Sequence, residues 1–569
     1  MTSSLRKQID QLKNSDHSDN DYFELIRQAV HRRNQGDEDP EFWQGKIAAV
    51  YGRVEDEIRT RQGAPEKRIS FGTSGWRGTL GKDINCYTVT IVTKAIIAMY
   101  AALAEDQALA ADLGVGSLAE AQERGAVIGH DNRFGGAIFA ETATNVLTAA
   151  GFTVHLAGEA TTGTLSAAVL ELGAAFSINL TPSHNPLEYG GFKFNGADAG
   201  PAAPSLTNQI TANARALVAS GPEPVAAPRP ELVRSCDALD LWQKLVISGK
   251  EQHGLDFPGV LEELNARKDL VVAVDCVHGA SRIHIDRLLA PLAKERLILL
   301  RTNDDPTFNG IAPEPSDANM APVMAALQAR EEPLKLGVVM DPDGDRIRFT
   351  DGEKIISMNG FGALSYHFLH EEKGKRGMVA KTVATSNLAN AVAAAFGEEV
   401  FEPRVGFKEF KPVLKSALVC FEESDGITVI GHTPEKDAYI GLVLALEMIL
   451  ARQENIGQYF TALEGEYGHY FPAKDGVTVS KQGEELLATL KRLEKYQRGT
   501  FLKVGGEEKE ISQVIDIDGL KLIFADLSWL LIRPSGTEPK VRFYVESRSE
   551  EGKNHLFAAA KEVLAEIGL

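Results

Sequence analysis

Apolar residues recur at three-to-four spacing up to about position 66, in DYFELIRQAV and FWQGKIAAVYGRVEDEIRTR, and that period predicts helices. From RISFGTSGWRG onward the pattern changes. Short runs rich in Val and Ile, such as GAVIGHD, FTVHLAG and AAFSINL, read as strands, and FAETATNVLTAAG reads as a helix between two of them. That alternation predicts βαβ units and a mainly parallel sheet. It recurs in LVVAVDCVHGA (270–280), PLKLGVVMDPDGDR (333–346), RGMVAKTVATS (376–386) and GITVIG (426–431), with the helical patterns NMAPVMAALQAR and LSYHFLHEE between them. VASGPEPVAAPRPE (218–231) is rich in Pro, Ala and Gly and reads as a linker. Beyond about residue 466 come a charged helix, GEELLATLKRLEKYQ, a strand–turn–strand, LSWLLIRPSGTEPKVRFYVE, and a closing helix.

The expected fold is α/β. A helical extension covers 1–66, three consecutive mixed-sheet α/β domains cover 67–220, 232–346 and 347–465, and an α+β domain covers 466–569. No exact repeat is visible in the sequence. A chain of 569 residues is long enough for several such domains.

Charge narrows the partners. The chain carries 60 basic and 79 acidic side chains, a net charge of −19, which argues against nucleic acid as a bulk partner. A small phosphorylated ligand needs only a local basic cleft and stays open. The four cysteines, Cys86, Cys236, Cys276 and Cys420, are far apart and form no CxxC pair, so neither a zinc site nor a disulfide framework is expected. The polar start, MTSSLRKQIDQLKNSD, lacks the apolar segment of a signal peptide, and no apolar run reaches about 18 residues. A cytoplasmic protein, monomer or dimer, without a membrane span is expected.

Four stretches carry candidate chemistry. In DPDGDR, Asp341, Asp343 and Asp345 alternate just after an apolar strand. Carboxylates this close repel unless a cation lies between them, and hard oxygen ligands suit Mg²⁺. An EF-hand is excluded because loop positions 6 and 12 are Arg346 and Gly352. A solvated acidic turn is the plain alternative, but the carboxyl end of a strand is where open α/β sheets bind ligands. In LTPSHNPLEYGGFKFNG (180–196), Pro182 and Pro186 stiffen the backbone around Ser183, beside His184 and near Lys193. Gly190–Gly191 would let the chain pass close to a ligand. A serine held this way can carry a phosphate; an ordinary loop is the alternative. RPSGTEPK offers Arg533, two hydroxyls in Ser535 and Thr537, and backbone N–H groups around Gly536, which is the chemistry of an anion cradle or a simple hairpin turn. FGTSGWRG, ending in Arg77, has the same character. In FEESDGITVIGHTPEKDA, Glu422 and Ser424 can hydrogen-bond sugar hydroxyls and Lys436 can meet a phosphate.

Taken in order, GTSGWRG, TPSHNP, DPDGDR, EES and RPSGTEP closely resemble the α-D-phosphohexomutase superfamily, over about residues 70–548. The resemblance implies four domains around one central cleft. It implies that Ser183 carries phosphate, that Asp341, Asp343 and Asp345 hold Mg²⁺ with the Ser183 phosphate as a further ligand, and that a hexose 1,6-bisphosphate forms during turnover. Arg77, His184, Lys193 and Arg346 match active-site positions, with Lys193 as a general acid/base. Glu422 and Ser424 match the sugar-reading loop, followed by Lys436. Arg533, Ser535, Gly536 and Thr537 match the loop that clamps the idle phosphate. The glucose-type sugar loop usually reads GEES, whereas Phe421 precedes Glu422-Glu423-Ser424 here, and the following KDG-like element is Lys436-Asp437-Ala438. TPSHNP…GGFKFN and the EES order resemble phosphoglucomutases, which implies glucose as the sugar and glucose 1,6-bisphosphate as the intermediate. A phosphomannomutase or a dual-specificity enzyme is the alternative. The glucosamine branch ranks third, because its serine loop usually differs.

Overall fold

The computed structural model describes residues 2–11, 21–36, 39–72, 75–104, 106–535 and 540–569. Three helices open the chain, Thr2–Gln11, Tyr22–Gln35 and Pro40–Thr60. The second starts where the Asp21 carboxylate accepts from Glu24 N at 3.0 Å and stops at Gly36, whose φ of 69° ends the right-handed helix. Their buried faces, with Ile26, Trp43, Val50 and Ile58, join the core of the unit that follows.

That unit holds a six-stranded sheet in the order Trp76–Thr79, Tyr189–Asn195, Phe176–Leu180, Ala126–His130, Val154–Glu159, Val233–Ser235. The second unit has five strands, Ile355–Ile356, Ile347–Thr350, Leu334–Met340, Leu270–Asp275 and Leu297–Leu300, and the third has four, Val400–Phe401, Val379–Lys381, Val419–Glu422 and Gly426–Val429. The fourth is an antiparallel six-stranded sheet backed by Gly483–Leu490 and Glu550–Glu566 around its own core.

The first three sheets share one arrangement that the sequence did not display as a repeat. In each, a central strand lies between two parallel neighbours, and the later of these turns back into an antiparallel strand. The turn-back joins Phe176–Leu180 to Tyr189–Asn195, Leu334–Met340 to Ile347–Thr350, and Val419–Glu422 to Gly426–Val429. The three turns carry the TPSHNP, DPDGDR and EESD stretches. Each contains a left-handed residue: Ser183 at φ 58°, Gly344 at 59° and Asp425 at 70°.

Two expected boundaries differ from the sheets. Val233–Ser235, read with the second domain, pairs in parallel with Val154–Glu159 and closes the edge of the first sheet. The chain before it is tied down as well, since Arg229 Nε donates to Thr148 O at 3.0 Å. Ile347–Thr350 and Ile355–Ile356, read with the third domain, belong to the second sheet. In both places strands of two to four residues pair at a sheet edge, too short to show a pattern beside a linker or a motif end.

Helix Ala438–Arg452 is buried on every side from Ala438 to Leu450. It contacts strand Leu334–Met340 of the second unit and Gly426–Val429 of the third, so one core serves both. A stretch that is long and apolar enough to cross a membrane, Cys86–Ala104, does exist, contrary to expectation. Its helix Cys86–Ala101 packs against Gly136–Ala149 and Pro204–Ser220 within the first core.

Candidate active site

The serine loop is held from both sides. Gly191 in strand Tyr189–Asn195 has no room for a side chain: a Cβ would lie 2.1 Å from Thr181 O. The glycine thus admits the serine loop's own backbone, where the sequence reading had placed a ligand. Ser183 N donates to Thr181 Oγ1 at 2.9 Å, and Thr181 Oγ1 donates to Asp131 Oδ2 at 2.6 Å. The Arg133 guanidinium donates to Ser183 O and Pro186 O, both at 2.7 Å, and to Asn185 O. A left-handed φ on a non-glycine residue is a strained state that persists only where the surroundings impose it, and this network imposes it on Ser183.

The three turns converge. Ser183 is buried and its Oγ donates to Asp341 Oδ2 at 3.0 Å. Asp341 Oδ1 accepts from the backbone N–H groups of Asp345 and Arg346, each at 3.0 Å, which curls the acidic loop around its first carboxylate. The loop is clasped on two sides. Thr162 N at the start of helix Thr162–Leu172 donates to Asp343 O at 2.7 Å, and Ala438 N at the start of helix Ala438–Arg452 donates to Gly344 O at 3.0 Å. Gly344 is required there, since a Cβ would lie 2.7 Å from Thr161 Cγ2.

Asp341, Asp343 and Asp345 are buried, and one ligand atom from each lies within 4.8 Å of the others. Lys193 Nζ bonds Asp343 Oδ2 at 2.6 Å and Asp345 Oδ2 at 3.0 Å, and Lys436 Nζ lies 3.4 Å from Asp345 Oδ2. Asp343 Oδ1 and Asp345 Oδ1 are buried without a hydrogen-bond partner. Two orphaned carboxylate oxygens beside a third aspartate fit a small hard cation.

The charges are strongly coupled. Burial, with Asp343 and Asp345 nearby, pushes the Asp341 carboxyl well above its usual range. Burial acts the same way on Asp345, but Lys193, Lys436 and Arg346 override it and hold that group well below the usual range. Burial opposes the charge of Lys193, yet Asp343, Asp345 and Glu435 hold its ammonium protonated above the ordinary value. His184 Nδ1 lies 3.4 Å from Ser183 Oγ, and Arg346, burial and Arg77 push it well below its normal pKa, so the imidazole is neutral. Arg77, in strand Trp76–Thr79 opposite Gly191, feels burial, Arg346 and all three aspartates.

The third turn adjoins this cluster. Glu422 ends strand Val419–Glu422, buried, accepting from Gly406 N at 3.1 Å and from Ser424 Oγ at 3.4 Å. Burial raises its pKa, against the pull of Lys436. The Lys436 stem runs over Gly426, where a Cβ would meet its Cδ at 2.2 Å. The structure therefore gathers Ser183, His184, Lys193, Arg77, Arg346, Lys436 and the three aspartates, with Glu422 and Ser424 beside them. Arg533, at the end of strand Trp529–Pro534, instead pairs with Asp518 at 2.8 Å, and Ser535 N donates to Lys540 O at 2.8 Å. Gly536 and Thr537 lie outside the described residues, as do Thr73 and Ser74 of the first motif.

Sequence reasoning missed Asp131, Arg133, Thr162 and Glu435. The signal for the first two was present, because Asp131-Asn132-Arg133 follow strand Ala126–His130 at its carboxyl end, where such sheets place functional groups.

Comparison with known proteins agrees with this geometry. The domain I, II, III and C-terminal descriptions of phosphoglucomutase/phosphomannomutase match residues 68–219, 256–354, 358–467 and 479–563. A Methanopyrus kandleri protein named "Probable phosphoglucosamine mutase" is 28% identical over 492 residues, 85% of this chain and 95% of its own length. The phosphomannomutase of Mycoplasma genitalium is 26% identical over 450 residues, 74% and 79% of the two chains. The Paramecium phosphoglucomutase pp63/parafusin, in its open form, superimposes with a TM-score of 0.65 at 20% identity, covering 90% of this chain and 97% of that one. With all four domains matched in order, the chain belongs to the phosphoglucomutase/phosphomannomutase family of phosphohexomutases, isomerases that shift a phosphoryl group within a sugar phosphate.

Proposed function

We propose that the protein is a Mg²⁺-dependent phosphoglucomutase that interconverts glucose 1-phosphate and glucose 6-phosphate through a phosphate carried on Ser183. The observation that carries this reading is the 3.0 Å contact of Ser183 Oγ with Asp341, beside two buried carboxylate oxygens that accept no hydrogen bond. Asp341, Asp343 and Asp345 would hold Mg²⁺. Bound there, the ion would supply positive charge to the phosphoryl group being transferred.

The chain's own residues supply the rest. Phosphoryl transfer depends on positioning and charge neutralisation more than on covalent chemistry. The bond from phosphorus to Ser183 Oγ breaks as one to the sugar's free hydroxyl forms, giving glucose 1,6-bisphosphate. After the bisphosphate turns over, the other phosphate returns to Oγ. Lys193, Arg77 and Arg346 contribute fixed positive charge. Lys193, held protonated by its carboxylates, would act as the general acid, and His184, kept neutral 3.4 Å from Oγ, would serve as an uncharged hydrogen-bond partner. Glu422 and Ser424 would read the sugar hydroxyls, and Arg533 with the 535–537 loop would clamp the idle phosphate.

Glucose is chosen on the Glu422-Glu423-Ser424 order. Mannose 1-phosphate is the second reading, favoured by the phosphomannomutase among the relatives. The test is a coupled assay with glucose 1-phosphate, Mg²⁺ and a trace of glucose 1,6-bisphosphate, with mannose and glucosamine phosphates in parallel. A kcat/KM highest for glucose supports the proposal; a kcat/KM highest for mannose or glucosamine overturns the sugar and leaves the residue roles in place.

A further inference from the structure

The helical extension lies outside the four matched family domains, yet it touches both sides of the seam between the serine loop and the metal-loop unit. Arg33, on helix Tyr22–Gln35, pairs with Asp305 at 3.2 Å, and the same nitrogen donates to Asn309 Oδ1 at 2.9 Å. Asn34 Nδ2 donates to Asn309 O at 2.9 Å. The Arg33 and Asp305 side chains are only 13% and 10% exposed, so this pair is largely shielded from solvent. Gln44 from the next helix accepts from Arg33 at 2.6 Å and fixes its orientation.

The segment that Arg33 grips is strained. Phe308 and Asn309 have φ of 52° and 53°, in the left-handed region that a bulky residue avoids. Asp305 braces the turn from inside by accepting from Thr307 N at 2.9 Å and Thr307 Oγ1 at 2.5 Å. The effect is to drive the Phe308 ring out of the second unit and into the core of the first, where it is 1% exposed. There the Arg133 guanidinium lies 4.8 Å from the ring centroid. Arg133 is the residue that holds the carbonyls of Ser183, Asn185 and Pro186. A second tie runs from Arg27 to Glu188, at the far end of the serine loop, at 3.0 Å.

We infer that the extension positions the nucleophile: Arg33 holds the strained 305–310 turn, Phe308 from that turn supports Arg133, and Arg133 sets the serine loop so that Ser183 Oγ faces Asp341. Arg33, Phe308 and Arg133 are positioning residues and touch no substrate. The inference rests on the proposed role of Ser183 for its kinetic consequence, but its structural consequence stands without it.

The test uses the full chain. Arg33→Ala removes the grip on Asp305 and Asn309, and Arg33→Lys keeps the charge while losing the fork that reaches two partners. Arg59→Ala, at an exposed pair on the same extension, is the control. The first readout is amide hydrogen exchange of residues 183–188, which is independent of any activity. Exchange about tenfold faster in Arg33→Ala, smaller in Arg33→Lys and absent in Arg59→Ala is expected. The second is kinetic: kcat on glucose 1-phosphate falls about tenfold in Arg33→Ala with KM within about twofold, because misplacement of the nucleophile acts on the chemical step. Combining Arg33→Ala with Phe308→Leu should add little to either effect, since both act through Arg133. Unchanged exchange in a folded Arg33→Ala protein, or additive effects in the double variant, overturns the inference. Faster exchange in an enzyme that never carries phosphate on Ser183 leaves the positioning intact and overturns the proposed function instead.

Discussion

Ser183 Oγ and Asp341 Oδ2 meet at 3.0 Å although 158 positions separate the two residues along the chain. Each stands on the turn-back loop of its own sheet, and the two sheets have the same strand arrangement. The contact is thus a product of repeated topology.

Ser183→Ala should lose turnover by at least about a thousandfold, because the proposed carrier of the phosphoryl group is gone while the charged pocket remains. Labelled hexose bisphosphate measures this directly. The wild-type protein should incorporate label on Ser183 and the variant should incorporate none; a labelled variant would rule out the assignment.

Added Mg²⁺ should raise the unfolding temperature. An ion that binds only the folded protein stabilises it by about 2.7 kcal/mol at a hundredfold excess over Kd. Asp343→Asn changes the buried carboxylate whose Oδ1 has no partner and whose Oδ2 binds Lys193, and it should largely abolish the Mg²⁺-dependent shift. Differential scanning calorimetry with and without chelator is the measurement. An undiminished shift in the variant would place the ion elsewhere.

Gly191→Ala should destabilise the protein by about 3 kcal/mol and reduce activity together with stability, since overpacking in a tight backbone contact has costs of that size. The Cβ would lie 2.1 Å from Thr181 O and push the serine loop from its strand. Gly465→Ala, at an ordinary φ with nothing within 4 Å, serves as the comparison without a close contact. Equal losses in the two variants would show that the close approach contributes nothing.

Between the third and fourth units, Glu402 sits between two buried lysines, 2.9 Å from Lys381 and 2.9 Å from Lys521. Burial works against its charge, but the two lysines bring the Glu402 carboxyl down to about 2 from an ordinary 4.5. Its stabilisation is present above pH 4.5 and is lost as pH falls toward 2. Lys521 shifts the other way, since burial and Lys381 bring it down to about 8 from 10.5. The unfolded chain then binds the extra proton between those values, so stability from this group rises with pH across that window. Glu402→Gln strands two buried ammonium groups and should cost about 3 kcal/mol or more, while Glu402→Gln combined with Lys521→Met should recover part of the loss. Urea unfolding followed by Trp529, which lies at this interface, reads both. A neutral Glu402→Gln would mean that solvent reaches the lysines.

Much of the fold was legible because it rests on local patterns. The Val- and Ile-rich runs became strands at Ala126–His130, Leu270–Asp275 and Leu334–Met340, and the three-to-four spacing near the amino terminus became the helices Tyr22–Gln35 and Pro40–Thr60. The chemistry-bearing turns were legible as well, because DPDGDR and TPSHNP concentrate unusual residue types within six positions. Short edge strands such as Val233–Ser235 were not, since three residues carry too little pattern to overrule a neighbouring linker.

By itself, the sequence determined the order of α/β units and the residues whose chemistry suits a phosphate or a cation, because side-chain chemistry and hydrophobic period are properties of short segments. Tertiary structure alone decided how those residues act. It set Asp341 against Ser183 and placed Lys193 on Asp343 and Asp345. It made Gly191 a seat for the serine loop, and it brought Phe308 from another unit under Arg133. These relations depend on which strands become neighbours and on what burial does to charge, and both are settled only when distant segments pack together.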